Sequence, residues 1–143
     1  GKRIVKSPKF YFYDTGLVSY LTGIKNQELY DKGPMAGAIY ENYIILEIIK
    51  KETHTQTDAS FYYLRTSSGQ EIDLIIDRKI TKELIEIKKS SSFKPKMLQT
   101  VKAFLNDKDR GYLLYNGTSK NKINNIQIKN YKEYLQMDLK EEE

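Results

Sequence analysis

Cysteine and tryptophan are absent, histidine occurs once and proline three times in 143 residues. Without cysteine there is no disulfide framework, no thiolate zinc site and no cysteine nucleophile, and a single histidine excludes a multi-histidine metal centre. Any metal must therefore be held by oxygen. No apolar run approaches the roughly 18 residues that a membrane span needs, and the longest, residues 44–49, is interrupted by Glu47. A membrane partner is not expected. No G-x-x-x-x-G-K-[ST] run is present, so the chain is not expected to bind ATP through a P-loop. It opens Gly1-Lys2-Arg3, with neither Met nor a charged-then-apolar leader, which reads as a cytoplasmic piece of a longer polypeptide.

What is present fits one globular domain over residues 1–143. Twenty-four basic residues against 19 acidic leave a formal charge of +5, and 39% hydrophobic with 30% charged is a soluble composition. Residues 138–143, ending in three glutamates, read as a frayed, solvated tail. Asp14 is placed to cap a short helix that stops near Gly23. A longer helix is expected over residues 36–51, with Ala38, Ile44, Ile45, Ile48 and Ile49 as its apolar stripe. Strand patterns follow at 61–64, 71–77 and 84–88, separated by Ser67-Ser68-Gly69 and by a turn at 78–81. Met97, Val101, Phe104 and Leu105 have helical spacing. Residues 111–115 and the pair Ile126 and Ile128 read as strands, and 131–135 as a short helix. The fold class is α/β, a mixed sheet covered by helices.

Three acids and a lysine stand out by position. With Glu41 as origin, at about 100° per residue Ile45 falls near 40°, Ile48 near −20°, Ile44 near −60° and Ala38 near 60°. Glu41 thus occupies the middle of an apolar stripe, where an ionised carboxylate is costly unless it is paired or coordinates a cation. A Lys or Arg partner, or snorkelling at the sheet's rim, is the alternative to a site role. If residues 78–81 form the turn, Asp77 pairs with Lys82, Ile75 with Leu84, Asp73 with Glu86 and Glu71 with Lys88. Like charges opposed at about 4.5–5.5 Å repel, so Asp73 and Glu86 call for added positive charge. Mg²⁺ suits such a pair, because it takes one or two carboxylates and keeps water or phosphate oxygens as its other ligands. Lys88 shares a strand face with Glu86 and flanks that position.

The order of helix with Glu41, strand, strand with Asp73, strand with Glu86-Ile87-Lys88, helix and strand resembles the α-β-β-β-α-β core of the PD-(D/E)XK nuclease superfamily. More narrowly, Asp14-Thr15-Gly16-Leu17, Gly37 with Glu41-Asn42, Tyr63-Leu64-Arg65-Thr66, Gly69-x-Glu71-Ile72-Asp73 and Ile85-Glu86-Ile87-Lys88 resemble the uncharacterised domain that follows the ATPase module in a group of prokaryotic AAA+ ATPases. The resemblance implies a three-layer restriction-endonuclease-like core and an upstream ATPase in the same polypeptide. It also implies a metal-dependent nuclease: Asp73, Glu86 and the main-chain carbonyl of Ile87 would ligate Mg²⁺ or Mn²⁺, Lys88 would orient the attacking water, and Glu41 would support the metal or its water shell. Ile72 stands where the superfamily has its eponymous proline, and Ala103 where the RecB-like branch has a tyrosine four residues after Gln99.

Residues 78–102 hold eight basic residues against two acidic, a net +6, so the rest of the chain nets −1. Lys89, Lys94 and Lys96 are candidate contacts for a nucleic-acid backbone, DNA before RNA. Most of Tyr62, Tyr63, Tyr112 and Tyr115 read as packing, His54 as a surface residue and Ser90-Ser91-Ser92 as a loop. A non-catalytic module that keeps the nuclease-like fold, for nucleic-acid binding or for protein docking and oligomerisation of the ATPase, is the alternative from another class.

Overall fold

The computed structural model describes residues 4–7 through their backbone, and residues 33 and 35–137. The helix expected after Asp14 and the acidic end at 138–143 lie outside these residues. A seven-stranded mixed sheet, in the order β1-β2-β3-β4-β5-β7-β6, carries the fold. Its strands are β1 (Ile4–Ser7), β2 (Ser60–Thr66), β3 (Glu71–Asp77), β4 (Lys82–Ile87), β5 (Arg110–Tyr115), β6 (Lys120–Ile123) and β7 (Ile126–Asn130). β1 to β4 pair antiparallel in chain order, β2 to β4 through tight turns; β4, β5 and β7 run parallel, and β6 returns antiparallel to β7. The helices are α1 (Ala36–His54), α2 (Gln99–Phe104), entered through a 3-10 turn (Pro95–Leu98), and α3 (Tyr131–Gln136).

α1 has no side-chain N-cap and no acid in its first turn, so packing and not capping holds it. Ile44, Ile45 and Ile48 meet Leu74, Ile76, Ile85 and Ile87 on one sheet face, where Tyr134 of α3 joins them. Each such aliphatic burial contributes about 1.5–3 kcal/mol. On the other face Leu98 and Val101, from the 3-10 turn and α2, pack with Ile75, Leu84 and Leu113. Gly111 makes this approach possible, since a Cβ there would stand 2.7 Å from Val101 Cγ1 and 2.9 Å from Ile126 Cγ1. Helices thus cover both faces, and the run α1-β2-β3-β4-α2-β5 keeps the expected order.

Two strands, β1 and β6, are additions to the sequence reading. β6 is exposed along its whole length and so offers no apolar alternation to detect. Ala38 corrects the expected stripe of α1, because it is exposed. Tyr40, about 160° away around the helix, is buried instead and meets the Tyr131 ring edge-on at 5.4 Å. α3 thus draws the buried arc of the first turns away from Ala38. Lys51, in the last turn of α1, donates to the carbonyls of Tyr134 (3.4 Å) and Met137 and ties α1 to the end of α3.

Candidate active site

The site forms where β3 and β4 part. Their paired register runs from Asp77 with Lys82 to Leu74 with Ile85, as the sequence pattern predicts. Beyond that last pair the Asp73 carboxylate takes over from backbone pairing: its Oδ2 accepts the N–H of Ile87 at 2.8 Å. Glu86 lies on the same strand face as Leu84 and is buried. Its carboxyl is pushed up to about 9, first by burial, then by a hydrogen bond to Asp73 and by the negative charge of Asp73, with Glu41 adding a smaller push and Lys88 opposing it. Near neutrality Glu86 therefore keeps its proton, hydrogen-bonded to Asp73. The ammonium of Lys88 stands 3.7 Å from Glu86 Oε1 and is about half exposed.

Asp73, Glu86, Ile87 and Lys88 are thus brought together, and Glu41 lies near enough for its charge to act on Glu86. Glu41 is half-buried, near the end of α1 that faces the site. Lys89, Lys94 and Lys96 are all exposed, along the chain that leaves β4 for the other sheet face. That chain is pinned to the turn after β5: Asn116 N–H donates to the Ser90 carbonyl at 2.9 Å. A Cβ on Gly117 would stand 2.6 Å from the Ser91 carbonyl oxygen, so the turn and the loop touch backbone to backbone. Ser90 is occupied internally, its hydroxyl donating to the Ser92 carbonyl and accepting from the Ser92 N–H.

A second charged cluster, at the opposite ends of β3 and β4, escaped the sequence reading. Glu52 of α1 is 2% exposed, pairs with Arg78 and accepts from the Thr57 hydroxyl. Arg78 also reaches Glu83, with its Nη2 3.1 Å from Oε2. Burial alone would lower the guanidinium pKa, but the two carboxylates outweigh it and raise it. The signal for Glu52 was available: three turns after Glu41, it falls at about 20° on the same helical stripe. Glu52 thus holds a cation of the kind considered for Glu41.

No helix among the described residues is long and apolar enough to cross a membrane. Residues 36–134 match a family described as a domain of unknown function, DUF4143. Among curated proteins the chain is similar to uncharacterized protein Mb2031c of Mycobacterium bovis and uncharacterized protein Rv2008c of Mycobacterium tuberculosis. Each is 30% identical over 107 residues, which cover 75% of this chain and 23% of the relative. The chain thus spans less than a quarter of the length of these relatives. No solved structure matches it. The chain belongs to the DUF4143 family.

Proposed function

For this member of the DUF4143 family we propose metal-dependent phosphodiester hydrolysis on a restriction-endonuclease-like three-layer core, within a longer polypeptide that carries an ATPase module. The observation that carries the reading is the hydrogen bond between Asp73 and Glu86, two carboxylates from adjacent strands, which together with burial and the Asp73 charge keeps Glu86 protonated. The donor set fits Mg²⁺ or Mn²⁺. Among the described residues no group of three His, Cys, Asp or Glu could hold a metal. The chain offers two carboxylates, Asp73 and Glu86, with the Ile87 carbonyl, and leaves the remaining positions to water and phosphate oxygens, as Mg²⁺ prefers. When bound, the ion supplies an acidified water and charge compensation at phosphorus.

The chain's own groups do the rest. The Ile87 N–H fixes the Asp73 carboxylate, which holds one oxygen donor in place before any ligand arrives. Lys88, anchored beside Glu86 yet open to solvent, orients the attacking water and offsets negative charge on the phosphoryl oxygens. Glu41 adds negative potential behind the pair and favours a cation there. Lys89, Lys94 and Lys96 attract the polyanionic substrate.

The test is cleavage of single- and double-stranded DNA and RNA by the 143-residue chain with Mn²⁺ or Mg²⁺, beside Asp73→Asn and Lys88→Ala. Metal-dependent cutting lost in both variants supports the reading. Cutting that survives in both comes from a contaminant and overturns it. A wild-type chain that binds nucleic acid and does not cut is the non-catalytic module.

A further inference from the structure

The edge strand β6 contributes no buried side chain, and packing does not explain its composition. Residues 110–132 contain five basic residues and no acidic one. Together with the eight basic and two acidic residues at 78–102, they leave a net −6 for the rest of a chain whose total is +5. The two basic segments meet in space. One register row crosses the sheet from Glu86 to Leu113, Ile128 and Lys120, and residues aligned in this way share a face. Lys120 therefore lies on the face of Glu86, three strand spacings away, or about 14 Å at ~4.8 Å each. Between them, Leu113 and Ile128 are covered by the 3-10 turn and α2; the chain entering and forming that turn exposes Lys94 and Lys96. The contact of Gly117 with Ser91 locks the turn that leads into β6 against the loop that leads out of β4.

We propose that the exposed edge strand β6, through Lys120 on the Glu86 face and Lys122 farther along the same edge, forms the distal contact for a nucleic-acid backbone whose path starts at Lys88 and passes over Lys94 and Lys96. The inference rests on the hydrolase reading for its orientation, since it places the scissile phosphate at Glu86 and Lys88 and the flanking strand across the sheet. A span of about 14 Å corresponds to roughly four phosphates at ~3.4 Å per step of one strand. An acidic protein surface would meet the same lysines without that spacing.

The experiment measures binding of the 143-residue chain to a labelled DNA oligonucleotide by fluorescence anisotropy, in EDTA, across a salt series. Lys120→Ala/Lys122→Ala should lower the slope of log K against log salt by about 1.4 to 1.8, because each phosphate contact contributes roughly 0.7 to 0.9. Lys50→Ala, an exposed lysine on α1 paired with Glu47, should leave the slope unchanged. An unchanged slope in the double variant, or an equal fall in Lys50→Ala, overturns the proposal. So does competition by poly-glutamate as effective as that by unlabelled DNA, which would assign the strand to an acidic protein. Since β6 is exposed throughout, the double variant keeps the fold, and an unchanged melting temperature checks this. Binding in EDTA is independent of cleavage, so failure here and failure of the hydrolase reading give separate results.

Discussion

The two ends of the β3–β4 pair carry nearly the same charges and use them in opposite ways. At one end Glu52 and Glu83 flank Arg78, whose planar fork reaches both carboxylates. At the other, Asp73 and Glu86 stand together beside Lys88, which is 3.7 Å from Glu86 and half exposed. Arg presents several donors in fixed directions and stays charged, whereas Lys is a hydrated point charge on a flexible stem. The first cluster is therefore internally complete and clamps α1 to the hairpin. In the second, Glu86 keeps its proton against Asp73. Equal inventories of acid and base thus give a strut or a site, according to whether the cation is locked between the acids.

Removing each cation should break this symmetry most sharply. Arg78→Ala removes the guanidinium from two buried carboxylates, Glu52 and Glu83, and should cost about 3–5 kcal/mol in denaturant unfolding, in the range for breaking buried pairs. Lys88→Ala should stay within about 1 kcal/mol, as for exposed ion pairs. Equal losses would erase the distinction. Next in size is the response to metal: Mg²⁺ at about 100 times its Kd should stabilise the wild type by ~2.7 kcal/mol. Asp73→Asn should abolish that gain while raising the melting temperature in metal-free buffer, and a metal-free fall would count against the repulsion assigned to the pair.

The pH profile sharpens the contrast further. The unfolded chain releases the Glu86 proton near its ordinary value of 4.5, whereas the folded chain holds it up to about 9. Between these values the unfolded state binds fewer protons, so this group makes stability fall as pH rises through the window. Glu86→Gln should flatten that part of a metal-free stability curve, and an unaltered slope would show that the proton sits elsewhere. The smallest effect is expected at the hairpin tip, where Asp58 and Lys79 pair in full solvent. Asp58→Asn should leave the melting temperature unchanged.

Much of the local structure follows from the sequence, because period-two and helical patterns report which side of an element is apolar. The pairing of Asp77 with Lys82 and of Ile75 with Leu84 follows once the turn at 78–81 is placed, and it draws Asp73 and Glu86 toward each other. Where the pattern is silent, so was the reading. β6 has no buried residue to mark it, and Ala38 loses its place in the core because α3, far along the chain, covers Tyr40 instead.

Composition alone determined that any metal here must be held by oxygen, since a chain with no cysteine and one histidine has no other adequate donor set. Strand alternation alone put Glu86 and Lys88 on one face. Only the tertiary structure decided that Glu52 meets Arg78. Glu41 and Glu52 lie on one stripe of α1, but Arg78 returns from the hairpin to Glu52, and such a contact across 26 residues is set by how the helix crosses the sheet. The retained proton of Glu86 was likewise beyond sequence, because it depends on burial and on the Asp73 carboxylate that a backbone N–H fixes beside it.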